Sequence, residues 1–222
     1  MNKLLSSVFV LFVTSVLVPA AMGQEITGDA KRGEGKISAC IGCHGIKHYQ
    51  TSFPQVYKVP MIAGQNAKYL MAALNEYQKG ARKHPTMRGI GEWLNEQDMA
   101  DVATYYEALG KQKPLPVPPK AEPTGKVAEL ITKGACTSCH GENFSKPIDP
   151  TYPKIAGQYA DYLFVALESY KNDSHAMWGR SNAIMGGIAK QFSNAELKVL
   201  AKYLSSLPTE LKTVPESEFK FK

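Results

Sequence analysis

The chain has 222 residues, with 26 Lys and Arg against 20 Asp and Glu, a formal charge of +6 at neutral pH. The excess is spread over both halves with no basic stripe, which sets nucleic-acid binding aside. All four cysteines fall in two short stretches, so none is left over for a wider disulfide framework.

The first 23 residues have the layout of a cleaved signal peptide. Lys3 precedes an apolar run from Leu4 to Val18, and Ala21-Met22-Gly23 offers the small residues of a cleavage site. An uncleaved anchor fits less well, because Ser6, Ser7, Thr14 and Ser15 dilute a run already short for a membrane span. The expectation is an exported protein.

A helix is predicted from about Ala30 into Cys40, where "ACIGCHG" begins a first motif. After the loop Ile46 to Val59 comes "PMIAGQNAKYLMAALNEY", in which Tyr69, Leu70, Ala73, Leu74 and Tyr77 recur at helical spacing and share one face. A methionine loop around Met87 follows, then a final helix started by Asn95 with Asp98. From Lys111 to Lys126 the chain carries five prolines, which remove amide donors and make a semi-rigid connector.

Beyond the connector the pattern repeats. A helix from about Val127 leads into "ACTSCHG", with Cys136 standing 96 residues after Cys40. "PKIAGQYADYLFVALESY" restates the earlier segment at a spacing of 93, with Tyr162, Leu163, Ala166, Leu167 and Tyr170 on the matching face. The last helix is announced by Ser193 and Glu196, a capping box, and matches its counterpart at a spacing of 98. The domains are 24–110 and 127–222, joined by a linker at 111–126. The fold class is all-α, since no alternating strand pattern appears. Domains of this size struggle to bury enough apolar surface unaided, and a large apolar prosthetic group in each would close that gap.

A C-x-x-C pair serves a disulfide, half a zinc site, a redox dithiol or a haem anchor. A disulfide closed over two residues constrains little chain entropy and leaves the adjacent histidine unexplained. A thioredoxin-like dithiol lacks its βαβ setting. C-x-x-C-H is the attachment signature of c-type haem. Two thiols one helical turn apart form thioethers to one porphyrin edge, and the next residue is held beneath the iron. Cys40, Cys43 and His44 would serve one haem, and Cys136, Cys139 and His140 a second.

The sixth ligand is expected to be methionine. Met87 follows His44 by 43 residues and Met185 follows His140 by 45, each before a Gly-Ile step and a capped helix. Met71 and Met99 align with Phe164 and Leu197 and read as core; Met61 aligns with Lys154; His175 and Met177 lie in a stretch longer in the second half. His84 competes with Met87 by proximity, and His48 is expected to be exposed. The carbonyls of Pro60 and Pro153 are candidates to accept the remaining ring N–H of His44 and His140, the alternative being that each proline only starts a loop. Arg82, Arg88 and Arg180 are candidate partners for haem propionates, or solvated surface residues.

These motifs, each present twice, resemble the cytochrome c4 family of two tandem class I cytochrome c domains. The resemblance implies a periplasmic diheme electron carrier, soluble or loosely membrane-attached, working between a quinol-oxidising complex such as cytochrome bc1 and a terminal oxidase or other acceptor. It implies His44 with Met87 and His140 with Met185 as ligands, with haems facing each other across the domain interface. The loop Ile46 to Val59 is longer and more aromatic than the family's. Two other functions remain in play. One is a haem subunit of a periplasmic dehydrogenase, differing only in partner. The other is a diheme enzyme such as a peroxidase, which needs an open iron or a reactive axial cysteine that two methionine loops and four cysteines do not offer.

Overall fold

The computed structural model describes residues 26–111 and 122–215. The expected signal peptide and most of the proline-rich linker lie outside the described residues. Among the described residues, no helix is long and apolar enough to cross a membrane.

Asp29 starts α1 (Ala30–Glu34) by accepting from the Arg32 amide at 2.8 Å. The chain turns at Gly35 and enters α2 (Ser38–His44), which carries the first motif. The single helix expected into Cys40 is therefore broken, because the Gly35 amide folds back on Gly33 O. A two-residue hairpin follows, with β1 (Gln50–Thr51) antiparallel to β2 (Tyr57–Lys58). α3 (Ala67–Lys79) ends on Gly80, whose φ of 76° stops it in a left-handed cap. β3 (Arg82–Lys83) leads to α4 (Pro85–Glu92), with proline at the first turn, where its missing N–H costs nothing. α5 (Glu96–Lys111) opens on the expected reciprocal cap: the Asp98 amide donates to Asn95 Oδ1 at 2.9 Å, and the Asn95 amide to Asp98 Oδ2 at 3.3 Å.

The second half repeats this course. α6 (Gly125–Lys133) is cut off from α7 (Thr137–His140) at Gly134 and Ala135, the latter at a φ of 46°. Here too one expected helix is two. α8 (Ala160–Ser169), β4 (Gly179–Arg180), α9 (Ala183–Ala189) and α10 (Asn194–Ser206) complete it, and Ser193 and Glu196 form the full capping box.

Each half has its own core. Ile37, Leu70, Val102 and Tyr106 cluster in the first; Leu130, Phe144, Leu163 and Leu197 in the second. Met99 is fully buried and Met71 packs against the first cluster, as the repeat alignment predicts. Burying one such side chain stabilises by about 2 kcal/mol.

The strands are too short to leave a sequence pattern, and they join the halves. β3 pairs antiparallel with β4, Arg82 opposite Arg180, and the Ser181 amide donates to Ala81 O at 2.7 Å. The β1–β2 hairpin lies on α8, where Lys58 Nζ and the Lys58 amide both reach Asp161 Oδ2, at 2.8 and 3.2 Å.

Candidate functional site: a cavity shared by two cysteine–histidine motifs

A cavity of about 560 Å³ runs between the halves. Cys40, Cys43, His44 and Met87 line it from one side, and Cys136, Cys139, His140 and Met185 from the other. The helix faces predicted on α3 and α8 line it as well. Apolar faces that would otherwise need a larger core thus turn toward one shared space.

All four cysteines are free thiols. Burial pushes Cys40 up to about 11 and raises Cys136, the reverse of the lowered thiol a redox dithiol requires. Among the described residues no group of three or more His, Cys, Asp or Glu could hold a metal ion, so a zinc site lacks its further ligands.

The histidines are mounted alike. His44 Nδ1 lies 2.9 Å from Pro60 O, and His140 Nδ1 lies 3.0 Å from Pro153 O. A carbonyl only accepts, so Nδ1 carries the proton and Nε2 keeps its lone pair. Burial lowers both histidines from their ordinary value, favouring this neutral form. An imidazole fixed this way is ready to ligate a metal through Nε2.

The methionines sit in matched local structure. The His84 ring accepts from the Met87 amide at 3.4 Å, and Asn182 Oδ1 accepts from the Met185 amide at 2.9 Å. His84 thus caps α4, a role its sequence position did not reveal.

Between the motifs lies a cationic cluster. Arg82 is 5% exposed and donates to Tyr69 OH at 3.1 Å and to Tyr162 OH at 2.8 Å, while Arg180 donates to Tyr162 OH at 3.2 Å. Among the described residues neither arginine has a carboxylate in ion-pair range, and Arg82 Nε is buried without an acceptor. Burial raises the Tyr162 phenol, but the two guanidiniums outweigh it and bring it down to about 8. The cavity thus contains an unfilled demand for anions. Arg88, by contrast, is exposed and pairs with Glu92 at 2.8 Å, so it does not join this cluster. His48 is exposed, and so is Met177.

Free thiols beside a neutral imidazole, an apolar cavity, and one buried and one half-buried guanidinium without carboxylates fit a haem in each half. The cytochrome c family profile matches residues 126–208. Cytochrome c4 of Azotobacter vinelandii is 30% identical over an alignment covering 93% of this chain and all of that protein. The chain belongs to the cytochrome c4 family.

The solved cytochrome c4 of Acidithiobacillus ferrooxidans, 30% identical, superposes with a TM-score of 0.58 over 77% of this chain and 99% of that one. A thiosulfate dehydrogenase electron acceptor of Stutzerimonas stutzeri is 28% identical, covering 87% of this chain and 89% of that protein. As in other cytochromes c4, the cofactors are two covalently bound haem c groups and the chemistry is electron transfer. Sequence reasoning missed the paired glutamines Gln65 and Gln158, although each stands at the same place in a repeated segment.

Proposed function

We propose that this chain is a periplasmic one-electron carrier, exported by a signal peptide spanning residues 1–23, with one haem in each of the domains 24–110 and 127–222. Haem c supplies a reversible one-electron couple at its iron. Cys40 and Cys43 tether the first group, and Cys136 and Cys139 the second. His44 and Met87 ligate the first iron; His140 and Met185 ligate the second. The observation that carries this reading is the matched pair of methionines, each on a side-chain-capped helix lining the same cavity as the histidine of its half. With an imidazole and a thioether held for each iron, no position would be left for substrate and ligation would stay the same in both oxidation states, which would favour fast electron exchange.

The donor is a quinol-oxidising complex of the bc1 type and the acceptor a terminal oxidase or other periplasmic protein. A second reading, a haem subunit receiving electrons from a periplasmic dehydrogenase, is favoured by the likeness to the thiosulfate dehydrogenase electron acceptor. The two share every residue role and differ in partner.

Near-infrared magnetic circular dichroism of the ferric protein tests the ligands. Methionine-to-iron charge-transfer bands accounting for both haems are expected, with no carbon monoxide binding after reduction. A high-spin haem, or ready binding of carbon monoxide, would overturn the carrier reading. Purification of the native complex separates the partners: a stoichiometric dehydrogenase favours the second reading.

A further inference from the structure

Gln65 and Gln158 are both 4% exposed, and each reaches out of its own half. Gln158 Oε1 accepts from the Met61 amide at 3.0 Å, and its Nε2 donates to Met61 O at 2.9 Å. Gln65 does the same to Lys154, at 2.9 Å in both directions. Each amide is held in turn by the next residue, Tyr159 donating to Gln158 Oε1 at 3.1 Å and Asn66 to Gln65 Oε1 at 3.0 Å.

The residues so gripped are not arbitrary. The Met61 N–H and the Pro60 C=O belong to one peptide unit, which is planar and stiff. His44 takes the carbonyl end of that plane, and Gln158 the amide end. The Pro153–Lys154 plane is shared by His140 and Gln65 in the same way. A donor whose own peptide is already polarised at the far end makes its carbonyl a stronger acceptor.

We propose that each half positions the axial histidine of the other: Gln158 orients His44, and Gln65 orients His140. This rests on the reading of those histidines as iron ligands. The glutamines are positioning residues, acting through a peptide plane. A carbonyl bond to the imidazole raises ligand basicity and favours the oxidised iron. Loosening the plane therefore raises the potential of the haem in the opposite half.

The test uses the full-length protein with both haems attached, and spectroelectrochemical titration of the two midpoint potentials. Met87→His and Met185→His mark which potential belongs to which haem. Gln158→Ala is expected to raise the potential of the haem at Cys40 and Cys43 and leave the other unchanged; Gln65→Ala gives the crossed result. Gln158→Glu and Gln65→Glu keep the acceptor on the peptide N–H, strengthen it and add negative charge, so they are expected to lower the same potentials in the same crossed pattern. They also decide the matter if the alanine variants do not assemble. A shift confined to the haem of the substituted half, equal shifts in both, or none would overturn the proposal. If His44→Ala and His140→Ala left both haem spectra unchanged, the reading of the histidines as ligands would itself fail, whatever the glutamine variants did.

Discussion

Arg82 and Arg180 stand opposite each other across the β3–β4 pair, and both guanidiniums donate to the single hydroxyl of Tyr162. Each arginine comes from a different half, so the positive charge lies on the boundary between the two haem sites. Neither has a carboxylate in ion-pair range among the described residues, and a buried charge is tolerated only when something answers it. The propionates are the carboxylates available.

Replacing Arg82 by Leu removes one positive charge beside the cavity and so favours the oxidised state. The midpoint potential of at least one haem is expected to fall by on the order of 59 mV, a tenfold change for a one-electron couple. Arg88→Leu, far from that cluster in function though close in sequence, should leave both potentials in place. Unaltered potentials in Arg82→Leu would count against the propionate pairing.

The β1–β2 hairpin is tied to the second half by Lys58 and Asp161, with Gln55 Nε2 adding a bond to Glu168 Oε2 at 3.0 Å. Asp161→Ala cuts the first tie. Amide exchange at Lys58 is expected to speed up by about tenfold, corresponding to roughly 1.4 kcal/mol, while the core amides of α10 stay protected. Equal loosening throughout would show that the hairpin is not a separate unit.

Asp101 is fully buried on α5 and accepts from the Asp29 amide, the Arg32 guanidinium, Lys36 Nζ and Gln97 Nε2. Its bond from Arg32 leads the others in holding the carboxyl well below the usual carboxylate range. Because the folded value lies below the unfolded one, near 3.9, the stabilisation is complete above about pH 4 and drains away as pH falls further. Asp101→Asn should cost about 1.5 kcal/mol at pH 7, since Arg32 and Lys36 can rehydrate, and flatten the acid limb of the stability curve. Denaturant melts at pH 7 and pH 3 check both points. A variant that keeps the wild-type acid sensitivity would exclude Asp101 as its source.

The glycine that closes each motif is needed for different reasons. Gly141 has a φ of 77°, and a Cβ there would run into Lys146 O. Gly45 has an ordinary φ of −93°, and a Cβ would sit 2.7 Å from Ile41 O. Gly141→Ala combines backbone strain with a clash and should lower stability by about 2 kcal/mol or more, with Gly45→Ala the milder change. Thermal melts of the two variants compare them directly. The reverse order would mean that the loop after Gly141 yields more easily than its backbone suggests.

Much of this was legible in the residues. The repeat placed two helical halves, and the tyrosine-bearing faces of α3 and α8 were found on the cavity as their spacing implied. The caps at Asn95 and Ser193 formed where expected, since they depend only on neighbours three residues away. What escaped the reading lay between the halves. Strands of two residues carry no periodicity, so the pairing of Arg82 with Arg180 had no local signal. Gln65 and Gln158 act on residues 89 and 97 positions away, and nothing near them in sequence marks the partner. The breaks at Gly35 and Ala135 were missed because a helical pattern tolerates an isolated glycine or alanine and does not report which way the chain leaves.

The glutamine exchange and the opposed arginines describe a contact in which the same patch of two copies meets itself. That is the geometry of an isologous homodimer, here written into one polypeptide. Covalent joining replaces a concentration-dependent encounter by an intramolecular one at high effective concentration, so the pair does not dissociate on dilution. It also frees the copies to differ. One copy has grown the hairpin at 50–58, and the other has Lys154, which pairs with Glu210 at 2.8 Å, where its twin has Met61. A dimer of identical chains would have to carry each such change twice; this chain carries it once, on the one side of the seam where it is used.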